Sequence, residues 1–290
     1  MRLNARLAWP AAAAACAALA AGVAFTQTSS APVKLAASSV PTPAHVVVVM
    51  EENHSYSDII GNTSSAPYFN SLAAQGALLT NYFAITHPSE PNYMALFAGS
   101  TFGLTADTCP ANEGSTANLG SELLAAGDTF KGYSEGLPST GSTTCTSGEY
   151  ARKHSPWINF SNVPTSDSLP FSSFPTSYAN LPTLSFVIPN LDDDMHDGTI
   201  KQADTWLNKN LSAYATWAQT HDSLLIVTWD EDDYTENNQV PTIVVGQGVA
   251  VGHFDEQVDH YNLLATLEAM YGLKAVGASA SASAITDIWG

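Results

Sequence analysis

His45-Val46-Val47-Val48-Val49-Met50-Glu51-Glu52-Asn53-His54 sets four consecutive valines and a methionine directly against two glutamates, an asparagine and a histidine. β-Branched residues suit an extended chain, and an apolar run without alternation suits a strand covered on both faces. Leu224 to Trp229 and Thr242 to Val245 repeat the pattern, and Leu184 to Ile188 does so more loosely. Ala203 to Thr220 places Trp206, Leu207, Leu211, Tyr214 and Trp217 at helical spacing, and Tyr261 to Tyr271 does the same with Leu263, Leu264, Leu267 and Met270. Buried strands alternating with amphipathic helices predict the α/β class, with a mostly parallel sheet under helices.

The chain has 290 residues, 45% of them hydrophobic, enough for one large core or two modest ones. Charged residues make up only 12%, yet 27 acids face 9 bases, for a net charge of -18. Without lysines and arginines there is nothing to displace the counterions of a polyanion, so groove binding of nucleic acid is excluded. A phosphate-bearing substrate has to be handled locally, by a metal or a few placed groups, because the general field opposes it. Arg2 and Arg6 lead into the alanine-rich Leu7 to Phe25, which reads as an export signal over roughly residues 1–31. A membrane anchor suits this stretch less well, since alanine is weakly apolar, and Cys16 fits a lipidation site poorly. The expected product is secreted or otherwise extracytoplasmic, with no stable membrane span. Residues 32–43, carrying three prolines, read as a linker, and residues 44–290 as one catalytic domain with a loop-rich insertion near 107–174. Once the leader is removed Cys109 and Cys145 are the only thiols, and in an exported chain they are expected to pair.

Polar residues that directly follow buried strands are those an open α/β sheet presents to its ligand crevice. Two strands here end in acids, one in Glu51, Glu52, Asn53 and His54, the other in Asp230, Glu231, Asp232 and Asp233. Carboxylates converging on one crevice repel each other unless a cation sits among them, so a hard divalent metal is expected. A third segment, Thr86-His87-Pro88-Ser89-Glu90-Pro91-Asn92-Tyr93, frames a serine with prolines that pre-set the backbone. Arg152 and Lys153, beside His154, form the only close pair of bases in the mature chain and are the natural contact for a phosphate.

Glu52-Asn53-His54-Ser55 after a valine strand, Pro88 to Tyr93, Lys153-His154-Ser155-Pro156, His196-Asp197-Gly198 and Trp229-Asp230-Glu231-Asp232, in that order, resemble the phosphoesterase family. That family contains bacterial and fungal acid phosphatases and phospholipases C of the alkaline phosphatase-like superfamily. The resemblance implies a three-layer α/β/α sandwich and hydrolysis of a small phosphate ester. It implies one divalent cation, with Ca, Mg, Mn and Zn all open, held by Glu52, Asn53, Ser89, Asp230 and Glu231. Ser89 then resembles the nucleophile, Asn92 the residue holding a phosphoryl oxygen, and His154 and His196 the groups that contact phosphate or protonate the leaving group. Phospholipase C members often carry threonine where Ser89 stands and have large further C-terminal domains, which favours the phosphatase branch and leaves a phosphodiesterase as the alternative.

Two readings of other classes stay open at this point. Gly132-Tyr133-Ser134-Glu135-Gly136 matches a nucleophile elbow, which would make Ser134, with a His such as His253 or His260, the centre of a serine carboxylesterase. The stretch after it, Leu137 to Gly141, starts no helix, as an elbow requires. A calcium-stabilised, non-enzymatic surface binder explains the acids but leaves the proline-framed serine idle. An EF-hand counted from Asp192 fails, with Asp197 and Ala203 where glycine and glutamate are needed.

Overall fold

In the computed structural model, residues 40–290 are described; the expected leader, Cys16 and most of the linker lie outside them. Twelve strands occur among these residues. In chain order they are β1 (His45–Glu51), β2 (Ala77–Leu79), β3 (Tyr82–Phe83), β4 (Phe130–Ser134), β5 (Thr146–Ser147), β6 (Tyr150–Ala151), β7 (Ser168–Pro170), β8 (Leu184–Ile188), β9 (Ser223–Trp229), β10 (Thr242–Gly246), β11 (Gly252–Phe254) and β12 (Val258–Asp259). The α-helices are α1 (Tyr56–Ile59), α2 (Pro67–Ala73), α3 (Ser89–Ala98), α4 (Leu119–Ala126), α5 (Ile200–Ala218) and α6 (His260–Met270).

Eight strands form one sheet in the order β11-β2-β10-β9-β1-β8-β4-β7. From β9 to β7 every neighbour is parallel. The valine run sits at the centre, and Val46 to Met50 are wholly buried because β8 and β9 flank them while helices cover both faces. α2 and α5 pack together on one side, with Phe69 of α2 against Trp229 of β9 at 5.0 Å between ring centroids. α3 packs with α4 and α6 on the other, with Phe97 of α3 edge-on to Phe186 of β8 at 5.8 Å.

The structure adds detail to two sequence expectations. Thr242 to Gly246 is a buried strand, but β10 runs antiparallel to both β9 and β2. An apolar run reports burial on two faces and carries no information about direction. The region 107–174, expected as a loop-rich insertion with short strands, also holds α4 and supplies β4 and β7 to the main sheet. β4 escaped notice because Phe130-Lys131-Gly132-Tyr133-Ser134 has only two apolar side chains. Its glycine is required by packing, since a Cβ there would lie 2.1 Å from the Trp157 ring. Cys109 and Cys145 are joined, as expected, with Cα atoms 5.8 Å apart. Among the described residues no helix is long and apolar enough to cross a membrane.

Candidate active site

The register of two strands brings the acids together. β1 and β9 are parallel, with Glu51 opposite Trp229, so Glu52 and Asp230 leave the sheet side by side. Backbone bonds stitch these ends: Asp230 N donates to Glu51 O at 3.0 Å, and Glu52 N donates to Asp194 O, beyond β8, at 2.9 Å. Asn53 N donates to Asp230 Oδ1 at 3.2 Å. Successive residues face opposite sides of a strand: burial, then the charges of Asp194, Asp193 and Asp204, raise Glu51, while Glu52 accepts a short hydrogen bond from Tyr93 of α3.

Ser89 is the first residue of α3, and its Oγ lies 3.1 Å from both Glu52 Oε2 and Glu231 Oε1. One end of the Asn53 amide lies 3.3 Å and 3.1 Å from the same two oxygens. Four of the five expected metal ligands therefore meet at one point, and Asp230 adjoins them through Asn53.

These residues fit a hard divalent cation. Burial raises Glu52 well above the usual carboxylate range, and the negative charges of Asp230 and Asp194 add to it. Asp230 is raised by burial and then by Glu231, and burial pushes Glu231 up to about 7. Asp230 Oδ2 is buried without a hydrogen-bond partner. Anions destabilised by burial and by one another, with an orphaned oxygen among them, are the donor set an oxygen-ligated cation stabilises. Glu52, His154 and Asp194 also offer ligand atoms that lie within 4.8 Å of one another.

His154 is buried against the far side of Glu52, with Nε2 3.1 Å from Glu52 Oε1 and Nδ1 3.5 Å from Asp194 Oδ2. Its ring stacks on Tyr93 at 4.9 Å and 10°. Burial pushes this histidine well below its ordinary value while raising Glu52, so desolvation outweighs the attraction between them and favours both neutral forms. His196 lies 5.9 Å from His154 between ring centroids and is half-buried. Lys153 Nζ sits 3.5 Å from His196 Nε2 and is held by Asp107 Oδ2 at 2.7 Å.

The structure does not bring every candidate to this centre. Arg152 turns its guanidinium away, donating to Thr143 O at 2.9 Å and Asn159 Oδ1 at 3.1 Å. Asn92 is wholly buried and clamps the loop before α3. Ser134 ends β4, pairs with Ser155 Oγ at 2.8 Å and runs into a turn, so the elbow geometry is missing.

Other residues that meet this centre are not assigned to it by the sequence reading. His87 places Nδ1 2.5 Å from Glu231 Oε2 and Nε2 3.3 Å from Asp232 Oδ1. It lay inside the proline-framed segment, but nothing in the pattern told which way it points. Tyr93 closes the proline-framed motif and Asp194 lies in the acidic stretch weighed as a calcium loop, but the sequence assigns neither to this centre. His260 Nε2 donates to Asp230 O at 2.8 Å, which leaves Nδ1 to accept from the Tyr82 hydroxyl at 2.9 Å. Burial lowers His260 to about 4, so it stays neutral and fixes the Asp230 backbone.

The phosphoesterase family description matches residues 62–274. A phosphatidylinositol-3-phosphatase of Mycobacterium tuberculosis is 62% identical over 260 residues, covering 89% of this chain and 87% of that protein. A phosphate-repressible acid phosphatase of Penicillium chrysogenum is 36% identical, covering 71% of this chain and 54% of the fungal protein. The chain thus spans about half the length of that fungal relative. Among solved structures, a protein of the alkaline phosphatase superfamily from Vibrio parahaemolyticus superposes with a TM-score of 0.58 at 10% identity, over 86% of this chain and 72% of that one. That likeness concerns the fold alone. The matched span, the curated relatives and the acid-ended strands agree: the chain belongs to the phosphoesterase family and is a phosphoric ester hydrolase.

Proposed function

We propose that the protein is an extracytoplasmic, metal-dependent phosphomonoesterase with Ser89 as its nucleophile. The observation that carries this reading is the Ser89 hydroxyl at the start of α3, 3.1 Å from Glu52 Oε2 and from Glu231 Oε1. Glu52, Asn53, Ser89, Asp230 and Glu231 would hold the cation, which when bound acidifies the serine hydroxyl and neutralises phosphoryl charge. The Ser89 proton passes to a carboxylate oxygen it already faces, and Oγ forms a bond to phosphorus as the ester oxygen leaves. His196, half-buried beside Lys153, would protonate the departing alcohol, while Lys153 attracts phosphoryl oxygens and His154, neutral behind Glu52, holds that carboxylate. Water then releases phosphate from the serine, and the hydroxyl is restored. The monoester reading is supported by the names of the relatives, a phosphatidylinositol-3-phosphatase and an acid phosphatase. The Cys109–Cys145 bond supports an oxidising compartment.

The test is hydrolysis of a phosphomonoester, a phosphodiester and a carboxyl ester, with and without chelator, by the wild type, Ser89→Ala and Ser134→Ala. The monoester is expected to be the preferred substrate, with turnover lost on chelation and restored by a divalent cation. Ser89→Ala should lose several orders of magnitude in rate, and Ser134→Ala almost nothing. Undiminished activity in Ser89→Ala overturns the site; preference for the diester moves the protein to the phospholipase C side of the family.

A further inference from the structure

We propose that the cavity beside the Arg152–His154 turn is a binding site, separate from the carboxylate centre, for a small monocarboxylate with an apolar body, and that the Arg152 guanidinium supplies its counter-charge. The site does not depend on the role of Ser89.

Arg152 is 8% exposed, in a chain whose acids outnumber its bases 27 to 9. A guanidinium keeps its charge in any protein, so burial normally brings a carboxylate with it. Lys131 and Lys153, both more exposed, follow that rule and pair with Asp167 and Asp107. Arg152 departs from it. Its Nη1 donates to Thr143 O at 2.9 Å, and its Nη2 to Asn159 Oδ1 at 3.1 Å and, more loosely, to Ile158 O at 3.5 Å. Those acceptors are all neutral, and Nε is buried without any partner. Glu90 lies near enough to feel the charge, but its Oε2 accepts from Thr108 N at 2.5 Å, and among the described residues no carboxylate forms an ion pair with Arg152.

This unpaired cation lines a cavity of about 340 Å³, at the small end of ligand sites. The disulfide helps to assemble it: Pro110 and Ala111 follow Cys109, while Cys145 O accepts from Arg152 N at 2.9 Å. Ala111, Ile158, Phe160 and Val163 give the cavity apolar walls, and neither an acid nor a second base lines it. Nor does any of the expected metal ligands, so it is not a branch of the carboxylate centre.

The walls select the ligand. One positive charge among apolar side chains suits a monoanion, whereas a hydrated phosphate dianion would lose its water without gaining enough donors. A carboxylate matches the planar guanidinium and provides the missing counter-charge, and a hydrocarbon body covers the apolar walls.

The test is calorimetric titration of the metal-loaded wild type with octanoate, 1-octanol, acetate and inorganic phosphate, repeated in Arg152→Met and Ser161→Trp. Ser161 stands exposed at the cavity, so a tryptophan there fills the space while leaving the guanidinium in place, and the outcome does not hang on whether Arg152→Met folds. One octanoate per chain is expected, bound at least about tenfold tighter than 1-octanol or acetate and weakened about tenfold or more in each variant. Octanoate bound no tighter than 1-octanol or than acetate overturns the proposal, as does unchanged affinity in Ser161→Trp. Phosphate that binds the wild type and is lost in Ser161→Trp overturns the carboxylate as occupant.

Discussion

Asn92, which the resemblance assigns to a phosphoryl oxygen, shows how a residue's contacts come only from its surroundings. Its Oδ1 accepts from Ile85 N and Thr86 N, both at 3.0 Å, and its Nδ2 donates to Thr86 O at 2.8 Å and Pro88 O at 3.3 Å. Two lone pairs and two N–H groups are all an amide offers, so none is left for a phosphoryl oxygen. The residue instead ties the loop before Ser89 to the helix that Ser89 begins, which makes it a positioning residue. Asn92→Ala is expected to lower kcat by about 100-fold through misplacement of Ser89. It should also leave part-buried backbone groups of Ile85 and Thr86 without their amide partner, at roughly 1 kcal/mol each. Steady-state kinetics and the urea midpoint check the two effects together; a normal kcat in a variant of normal stability contradicts the clamp. The same limit applies to Arg152, where the sequence shows a base near His154 and the fold directs its guanidinium to Thr143 and Asn159.

At the scale of elements, the disulfide joins the two loops that carry the basic side of the site. Cys109 follows Asp107 and Thr108; Asp107 holds Lys153, and its other oxygen accepts from Glu90 N at the start of α3 at 3.1 Å. Thr108 N donates to Glu90 Oε2 at 2.5 Å. Cys145 O accepts from Arg152 N at 2.9 Å, directly before Lys153. Reduction is therefore expected to raise KM for a phosphomonoester at temperatures where the sheet is still folded, and the double replacement Cys109→Ser, Cys145→Ser should cost roughly 2–5 kcal/mol of stability. Activity and far-ultraviolet circular dichroism followed in one thermal series with and without reductant test this; loss of both at the same temperature would show that the bond serves the fold alone. The pairing itself was legible from cysteine count, whereas its attachment to Lys153 depends on contacts between segments that the sequence keeps 46 residues apart.

For the whole molecule, pH acts on stability through carboxyls the fold keeps out of water. Glu268 of α6 is 2% exposed and accepts from Val276 N at 2.8 Å and Ser279 Oγ at 2.6 Å, fastening the C-terminal segment to the helix. Burial outweighs these bonds and pushes it up to about 7 from an ordinary value of 4.5. Between those values the folded chain binds more protons than the unfolded one, so this group's contribution to stability falls as pH rises through the window and is level above it. Glu268→Gln is expected to flatten that part of the curve, read as urea midpoints at pH 5 and pH 8; parallel curves for wild type and variant refute it. The valine run, the other apolar runs and the helical periodicity between them were enough, by themselves, to determine an α/β fold and to set the acids at the carboxyl ends of β1 and β9. Burial and strand geometry are local consequences of side-chain type, and five short motifs in order carry the family. The direction of β10, the membership of β4 and β7 in the sheet, and the contacts of His87 and Asn92 were decided only by the tertiary structure. They depend on which way a side chain or strand points once distant segments pack, and residue type leaves that direction open.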